Sequence, residues 1–189
     1  INGVTKASKQ VKNETKISSG TTSVSYAAVQ FLIENCTNFE SKSILLFGLG
    51  KIGKHTCQNL AEHTNNKNVS LINRSEDKID TLTNKYPFIK KAHVQNLSQE
   101  VLVSDILIVS TGSDSPTVIQ DHIPVDKEFI ILDLSMPANV SPEVAEMDNV
   151  TLVNVDELSR VTHKTIDSRQ QEVGLVEKIL ENHRNEFIE

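Results

Sequence analysis

The sequence predicts an α/β fold: a doubly wound parallel sheet with flanking N-terminal helices and a long C-terminal helix. Two observations indicate this fold. Short apolar segments alternate with helical patterns between residues 43 and 153, which is typical of parallel strands that are buried on both faces. From Asp156 onward the chain is mostly polar and contains no glycine or proline except Gly174, which favours one long helix.

The predicted strands are short apolar segments that are rich in Ile, Leu and Val. They cover residues 43–47, 69–72, 92–94, 105–109, 129–132 and 150–153. Helices are predicted over residues 52–63 and 76–86, and Pro87 closes the second of them. Because helices separate the strands, the connections are expected to cross over and keep the strands parallel.

The chain is expected to have three parts: a helical lead-in over 1–37, a sheet domain over 38–155 and a long helix over 156–189. The lead-in is interrupted at Ile17-Ser-Ser-Gly20, after which Thr21, Thr22 and Ser23 can cap a second helix. Since Ile1 is not a methionine and the predicted helix includes it, the chain is expected to be a fragment of a longer protein.

The C-terminal helix carries a narrow apolar stripe. The stripe consists of Ile166, Val173, Val176, Leu180 and Phe187. Arg169 and His183 interrupt the seven-residue repeat, so a coiled coil is only weakly indicated. We expect this stripe to bind another surface, and weak self-association of the chain is one way to cover it.

Composition restricts the classes of function. The chain has 189 residues, 38% hydrophobic and 23% charged, with a net charge of −6. This is typical of a globular protein, and an acidic domain is a poor candidate for wrapping nucleic acid. No apolar run approaches the ~20 residues of a membrane span. Cys36 and Cys57 lie far apart, which fits a reducing, cytoplasmic location.

The segment Gly48-Leu49-Gly50-Lys51-Ile52-Gly53 is the strongest chemical motif. It follows a predicted strand and opens a predicted helix, as the glycine turn of a Rossmann-like dinucleotide-binding domain does. Gly48 permits the tight turn, Gly50 lets the backbone approach a pyrophosphate, and Gly53 lets the helix pack against the strand. The N-terminus of the helix then offers N–H groups to the phosphates.

The end of the second strand indicates which dinucleotide is bound. A site for NAD usually has an acidic residue there to bind the ribose 2′-hydroxyl, but this chain has Asn73-Arg74-Ser75. Arg74 can stack on adenine and pair with a 2′-phosphate. Ser75 can bind the same phosphate and cap the next helix, and Lys78 adds charge. The sequence therefore predicts NADP(H) as the cofactor.

Two further turns follow strands at the edge of the sheet where ligands bind. Ser110, Thr111 and Gly112 come after the fourth strand, whereas Asp133, Ser135, Met136 and Pro137 come after the fifth. Both turns are predicted to face the nicotinamide half of the cofactor, although either could be a plain loop.

No catalytic constellation is evident from the sequence. The six histidines are scattered over helices and loops, and neither carboxylate pairs nor metal-ligand spacings stand out. Cys36 ends a predicted helix and Cys57 lies inside another, so neither is predicted to be a nucleophile. The sequence therefore predicts a binding domain without catalytic residues or a metal site of its own.

These motifs, taken in order, resemble those of the glutamyl-tRNA reductase family. The resemblance includes Gly20-Thr-Thr-Ser-Val-Ser-Tyr-Ala-Ala-Val29, the glycine turn, Asn73-Arg74-Ser75, Ser110-Thr-Gly112, Asp133-Leu-Ser-Met-Pro137, Pro142-Glu143-Val144 and Val155-Asp156-Glu-Leu158. It implies the central NADPH domain and the start of a spinal helix, which leads to a dimerisation domain. The implied partners are glutamyl-tRNA and a second copy of the protein.

The implied reaction is NADPH-dependent reduction of glutamyl-tRNA to glutamate-1-semialdehyde, an early step of tetrapyrrole synthesis. A cysteine thiolate in the family's N-terminal domain attacks the ester, and no such cysteine motif is present here. The chain alone is therefore expected to be inactive. One departure is Ala138, which stands where the family usually has an arginine.

Two other interpretations stay open. A shikimate-dehydrogenase-like oxidoreductase shares the glycine turn and the Asn-Arg-Ser pattern, but residues 1–37 are too short to form its substrate domain. The other interpretation is a non-catalytic module for NADP binding and oligomerisation. A cysteine motif upstream of this chain would favour the reductase over both.

Overall fold

The computed structural model describes residues 2–15 and 23–188 and divides the chain into two compact units. Residues 24–158 form the larger unit, and the segments up to residue 23 and from residue 159 form the smaller one. The unit boundary differs from the domains predicted from the sequence, because the helix at 24–35 belongs to the same unit as the sheet. No helix within the described residues is long and apolar enough to cross a membrane.

Six parallel strands form one sheet in the order β3-β2-β1-β4-β5-β6. They are β1 (Ile44–Phe47), β2 (Val69–Ile72), β3 (Lys90–Lys91), β4 (Ile106–Val109), β5 (Phe129–Asp133) and β6 (Val150–Asn154). The helices are α1 (Asn2–Glu14), α2 (Val24–Asn35), α3 (Lys51–His63), α4 (Glu76–Lys85), α5 (Leu97–Val103) and α6 (Val155–Ile188). This is the Rossmann-like, doubly wound sheet that the sequence predicts.

The central strands are apolar along their whole length because both of their faces are covered. Every residue of β1 and β4 is buried, as expected for parallel strands between helical layers. One core includes residues of α2, α3 and α4 together with Leu158 at the start of α6. The other lies on the opposite face, against α5 and the loops that follow β4 and β5.

The order of the strands places a ligand crevice at β1 and β4. The chain runs from β1 to β2 and β3 on one side, and then returns to β4 on the other side of β1. Ligands of open α/β sheets bind at such a reversal, outside the carboxyl ends of the strands. The loops after these two strands carry the glycine turn and Ser110-Thr-Gly112.

The third strand and the following helix differ from the sequence prediction. The strand lies at Lys90–Lys91 and not at residues 92–94, where Val94 instead begins a short 3-10 helix. Ala92 is buried beside this edge, but the two lysines make the backbone pairing with β2. The apolar pattern missed this strand because edge strands often carry lysine, which protects them from further pairing. Helix α5, at 97–103, was not predicted.

The smaller unit consists of α1 and most of α6. Ala7 of α1 and Thr162 and Ile179 of α6 are buried, and His183 Nε2 lies 2.6 Å from Gln10 Oε1. The described part of the predicted stripe is more open, because Val173 and Leu180 are 43% and 47% exposed. The side chains of Ile166, Arg169 and Phe187, and the predicted helix break and caps at residues 17–22, lie outside the described residues.

A buried asparagine holds the connections that lead into β1 and β2. The side-chain amide of Asn66 donates to the carbonyls of Phe39 and Lys42, at 2.7 and 2.9 Å. Its oxygen accepts the backbone N–H of Asn68 at 2.8 Å. All three bonds lie at the amino edge of the sheet, opposite the ligand crevice.

We therefore expect Asn66→Ala to lower the free energy of unfolding by about 2 kcal/mol, because buried backbone groups lose their partners. Urea unfolding followed by circular dichroism measures this change. The neighbouring Asn65 is exposed, so Asn65→Ala is the matched control and should cost less than about 0.5 kcal/mol. Equal effects of the two substitutions would contradict the role assigned to Asn66.

Candidate dinucleotide-binding site

A cleft of about 260 Å³ opens at the carboxyl edge of the sheet, above β1 and β4. Three sequence motifs meet there: the glycine turn, the Asn-Arg-Ser turn after β2 and the Ser-Thr-Gly turn after β4. The lining residues are Phe47, Gly48, Leu49, Gly50, Asn73, Arg74, Ser75, Lys78, Ser110, Thr111, Gly112 and Thr117. Phe47 and Thr117 line the cleft as well, although neither was predicted as a cofactor-binding residue.

Gly48 and Gly53 are required by the packing of the protein itself. Gly48 has a φ of +99°, and a Cβ atom there would lie 2.3 Å from the carbonyl oxygen of Ser110. A Cβ atom on Gly53 would lie 2.1 Å from the carbonyl oxygen of Gly48. Real atoms do not approach so closely, so a side chain at either position would force β1, α3 and the β4 loop apart.

Gly50 differs from the other two glycines because its surroundings are open. It occupies the N-cap position of α3 with a φ of −67°, and the nearest atom to a Cβ atom there would be 3.8 Å away. The protein therefore does not itself exclude a side chain at Gly50. The space above this backbone adjoins the first turn of α3, where N–H groups lack partners within the helix.

Asn73 holds two of the turns in place. Its side-chain oxygen accepts the backbone N–H of Leu49 at 2.9 Å, and its amide donates to the carbonyl of Ser75 at 2.9 Å. The residue thus bridges the glycine turn and the turn between β2 and α4. Among the predicted cofactor residues it is a positioning group as well as part of the lining.

The positively charged side chains of the glycine turn and of the segment after β2 are exposed. Arg74, Lys78 and Lys51 all face solvent. Ser75 is at the N-cap position of α4, but its hydroxyl makes no capping hydrogen bond to any described residue, so the predicted cap is absent. Helix α4 begins instead with two acidic residues in its first turn, whose negative charge interacts favourably with the positive N-terminal end of the helix dipole.

Leu49 and Ile52 contribute differently from the other predicted residues. Leu49 is only 3% exposed and belongs to the core, although it also lines the cleft. Ile52 is partly buried against the same core and does not line the cleft, and its carbonyl accepts the hydroxyls of Ser25 and Thr56. Apart from its backbone N–H at the start of α3, Ile52 is therefore part of the packing beneath the site.

The turn after β5 lies outside the lining of this cleft. Met136 and Pro137 are exposed, whereas Asp133 and Ser135 are buried. Ser135 still connects to the cleft, because its hydroxyl oxygen accepts the backbone N–H of Thr111 at 3.2 Å. The turn after β5 is thus hydrogen-bonded to the turn after β4. The side chains of the β5 turn do not line the cleft.

The carboxylate of Asp133 organises the β5 turn. It accepts the backbone N–H groups of Ser135, Asn139 and Val140 at 3.0, 2.7 and 2.9 Å. The side chain is 3% exposed, and these bonds compensate the burial of its charge. Asp133 therefore positions the loop through its backbone.

Asn139 is a residue of the site region that the sequence analysis missed. It is fully buried, and its side-chain oxygen accepts the hydroxyls of Thr111 and Thr117 at 2.6 and 3.3 Å. Its amide donates to the carbonyls of Ser113 and Pro137. The sequence signal was weak, since an Asn two residues after a Pro usually indicates an exposed turn. Ala138, the departure from the family pattern, is exposed beside it.

The two thiols are poorly suited to act as nucleophiles. Burial raises the pKa of Cys57 to about 12, and burial also raises the pKa of Cys36 despite the opposing effect of Lys42. The thiolate is the reactive form of cysteine, so both residues are largely protonated at neutral pH. Cys57 lies inside α3 beneath the site and Cys36 lies just after α2.

The sheet order, the glycine turn and the crevice define a Rossmann-type domain, the architecture with which many oxidoreductases bind dinucleotides. A family model for shikimate / quinate 5-dehydrogenase matches residues 31–161, and the chain belongs to that family. The match spans the whole sheet and the cleft described above.

Similarity to one group of proteins extends over almost the entire chain. A glutamyl-tRNA reductase from Christiangramia forsetii is 45% identical over 187 residues, which cover 99% of this chain and 44% of that protein. One from Flavobacterium psychrophilum is 44% identical over 99% of this chain and 45% of its own length. The chain thus spans less than half the length of these curated relatives.

A solved structure has the same fold. The glutamyl-tRNA reductase from Methanopyrus kandleri superposes with a TM-score of 0.82 at 22% identity, over 96% of this chain and 47% of that chain. At this level of identity the likeness concerns the fold alone. It confirms the Rossmann-like architecture that the sequence predicts.

The three glycines provide a test of the packing at the site. We expect Gly48→Ala and Gly53→Ala each to lower the free energy of unfolding by more than about 2 kcal/mol, because the added Cβ atom meets backbone. Gly50→Ala should cost less than about 1 kcal/mol, since only its helix-capping preference changes. Thermal and urea unfolding of the three variants measure the difference. A Gly50 variant as unstable as the other two would contradict this assignment.

Proposed function

We propose that this chain is the NADP(H)-binding domain of a glutamyl-tRNA reductase. The observation that carries the proposal is the 45% identity to a protein of that name over 99% of this chain. The geometry of the cleft supports it independently, because open space for a ligand lies over Gly50 at the start of α3. The activity belongs, in this proposal, to the whole protein that contains the chain.

The residues of the cleft fit a dinucleotide phosphate. The backbone of Gly48–Gly53 and the first turn of α3 would bind the pyrophosphate, for which Gly50 leaves room. Arg74, Ser75 and Lys78 would bind a 2′-phosphate, and a planar guanidinium suits that group. When bound, the cofactor would supply the hydride for reduction.

The nicotinamide half would lie toward the loops after β4 and β5. Ser110, Thr111 and Gly112 line the cleft there, while Asp133 and Ser135 hold the same loops from behind. These residues would orient the nicotinamide ring and would not act as acids or bases in the reaction. The role proposed for Met136 and Pro137 is limited to the outer rim, since both are exposed.

The covalent step of the proposed reaction would need a reactive cysteine in another part of the protein. The raised pKa values of Cys36 and Cys57 support this assignment, because a protonated thiol is a poor nucleophile. Glutamyl-tRNA would bind to the complete protein, a cytoplasmic homodimer in this proposal. Helix α6 would lead toward the domain that forms the dimer.

A shikimate-dehydrogenase-like activity is the second candidate, favoured by the family model that matches residues 31–161. The two candidates need different substrates but similar cofactor sites. Oxidation of shikimate with NADP⁺ by the complete protein, without reduction of glutamyl-tRNA, would favour this second candidate. A protein with neither activity would favour a binding module.

The choice of cofactor is tested by two substitutions with different expected patterns. Wild type should bind NADPH more tightly than NADH, and Arg74→Ala should remove most of the preference, at a cost of about 1.5–3 kcal/mol in NADPH binding. Gly50→Ala should weaken both nucleotides together, because it fills the space of the pyrophosphate that they share. Calorimetric titration measures all six affinities, and equal wild-type affinities would refute the NADP(H) assignment.

The reductase proposal is tested by activity. The complete protein should reduce glutamyl-tRNA with NADPH, whereas this chain alone should show no turnover. Cys36→Ser and Cys57→Ser in the complete protein should retain the reaction, apart from any loss of stability measured separately. Turnover by the chain alone that disappears in either variant would show that the nucleophile lies within these residues.

A further inference from the structure

A second cleft, of about 250 Å³, lies between the first turn of α3 and helix α4. Three lysines line it: Lys51 and Lys54 from α3 and Lys78 from α4. The remaining lining residues are Leu49, Gly50, Thr81 and Leu82. We call it the lysine cleft, after Lys51, Lys54 and Lys78.

The lysine cleft adjoins the dinucleotide cleft. Leu49, Gly50 and Lys78 line both of them. The shared residues lie at the end that also contains Arg74 and Ser75, where a 2′-phosphate would bind. A phosphate bound there would therefore lie beside residues that line both clefts.

The three lysines have no ion-pair partner among the residues that the structure describes. No carboxylate forms an ion pair with Lys51, Lys54 or Lys78 within the described residues. Other lysines of the larger unit do form ion pairs with carboxylates.

Lys85 at the end of α4 contacts Glu62 at 2.9 Å, and Lys91 contacts Glu76 and Asp80 at 2.7 and 3.2 Å. The carboxylates of Glu62, Glu76 and Asp80 are thus paired with lysines that do not line the lysine cleft. Three like charges around one cleft repel one another, and that repulsion is relieved when an anion binds between them.

The positions of Lys51 and Lys54 on α3 add to this imbalance. Both lie in or next to the first turn of the helix, which contains no acidic residue. Positive charge at a helix N-terminus opposes the helix dipole and destabilises the helix. Helix α4, in contrast, begins with Glu76 and Asp77. The positive charges on α3 therefore destabilise the helix in the empty protein and favour the binding of an anion.

From this juxtaposition we propose that Lys54, with Lys51, forms part of the subsite for the 2′-phosphate and so helps to determine specificity for NADP(H). The inference rests on the proposed cofactor and adds Lys54 to the residues at that subsite. A phosphate monoester has three terminal oxygens, which can accept hydrogen bonds from a guanidinium and from several ammonium groups. The adenine ribose of a bound dinucleotide would extend from Gly50 toward Lys78, which lines both clefts.

The test compares Lys54→Gln with Lys54→Arg, and Lys90→Gln serves as the control because Lys90 is exposed on β3, away from both clefts. Lys54→Gln should weaken NADPH binding about threefold to fivefold, as expected for one exposed ion pair, and leave NADH binding unchanged. Lys54→Arg should retain wild-type affinities, and so should Lys90→Gln. The pair 2′,5′-ADP and 5′-AMP should reproduce the difference without the nicotinamide half.

Thermal unfolding of the empty protein separates binding from structure. Lys54→Gln should unfold at the same temperature as wild type or higher, because it removes a positive charge from the N-terminal end of α3. An unchanged NADPH-to-NADH ratio in Lys54→Gln, with the wild-type preference intact, would overturn this inference alone. Equal losses for both nucleotides would also overturn it, while a wild type without NADPH preference would refute the proposed cofactor itself.

Discussion

The close contact of Gly48, Gly53 and Ser110 is the constraint on which the rest of the site depends. Cβ atoms on the two glycines would lie 2.3 Å and 2.1 Å from backbone oxygens of Ser110 and Gly48. The ends of β1 and β4 and the start of α3 are therefore in direct backbone contact. This contact fixes the first turn of α3 over the crevice between the strands, where its free N–H groups can face a phosphate.

The loops around this contact are held by side chains that mostly bond to backbone. Asn73 connects the glycine turn to the turn after β2, and Asn139 connects the loops after β4 and β5. Such bonds keep the loops in one arrangement and leave the exposed cations Arg74 and Lys78 available at the rim. Rigid loops with free cations are what a site for a phosphorylated ligand requires, since less order is lost on binding.

The sequence predicted those parts of the structure that depend on local pattern. Strands β1, β2, β4 and β5 are apolar because they are buried on both faces, and the edge strand β6 is apolar only in part and half-buried. The glycine spacing reflects steric contacts within one strand-turn-helix unit. Strand β3 and Asn139 depend on long-range partners instead. Lys90 and Lys91 form a strand because β2 lies beside them, and Asn139 is buried because loops 22 to 28 residues away in sequence donate to it or accept from it. Nothing in the local sequence indicates such partners.

Asp133 illustrates how a residue whose position suggests a ligand contact can also organise the fold. A carboxylate at the carboxyl end of a strand lies where ligands of α/β sheets bind, so the sequence predicted a contact. A free carboxylate beside an anionic dinucleotide would repel it. The structure removes this conflict, because three backbone N–H groups surround the Asp133 oxygens. The negative charge then orders the Ser135–Val140 loop from below, and the side chain lies away from the cleft.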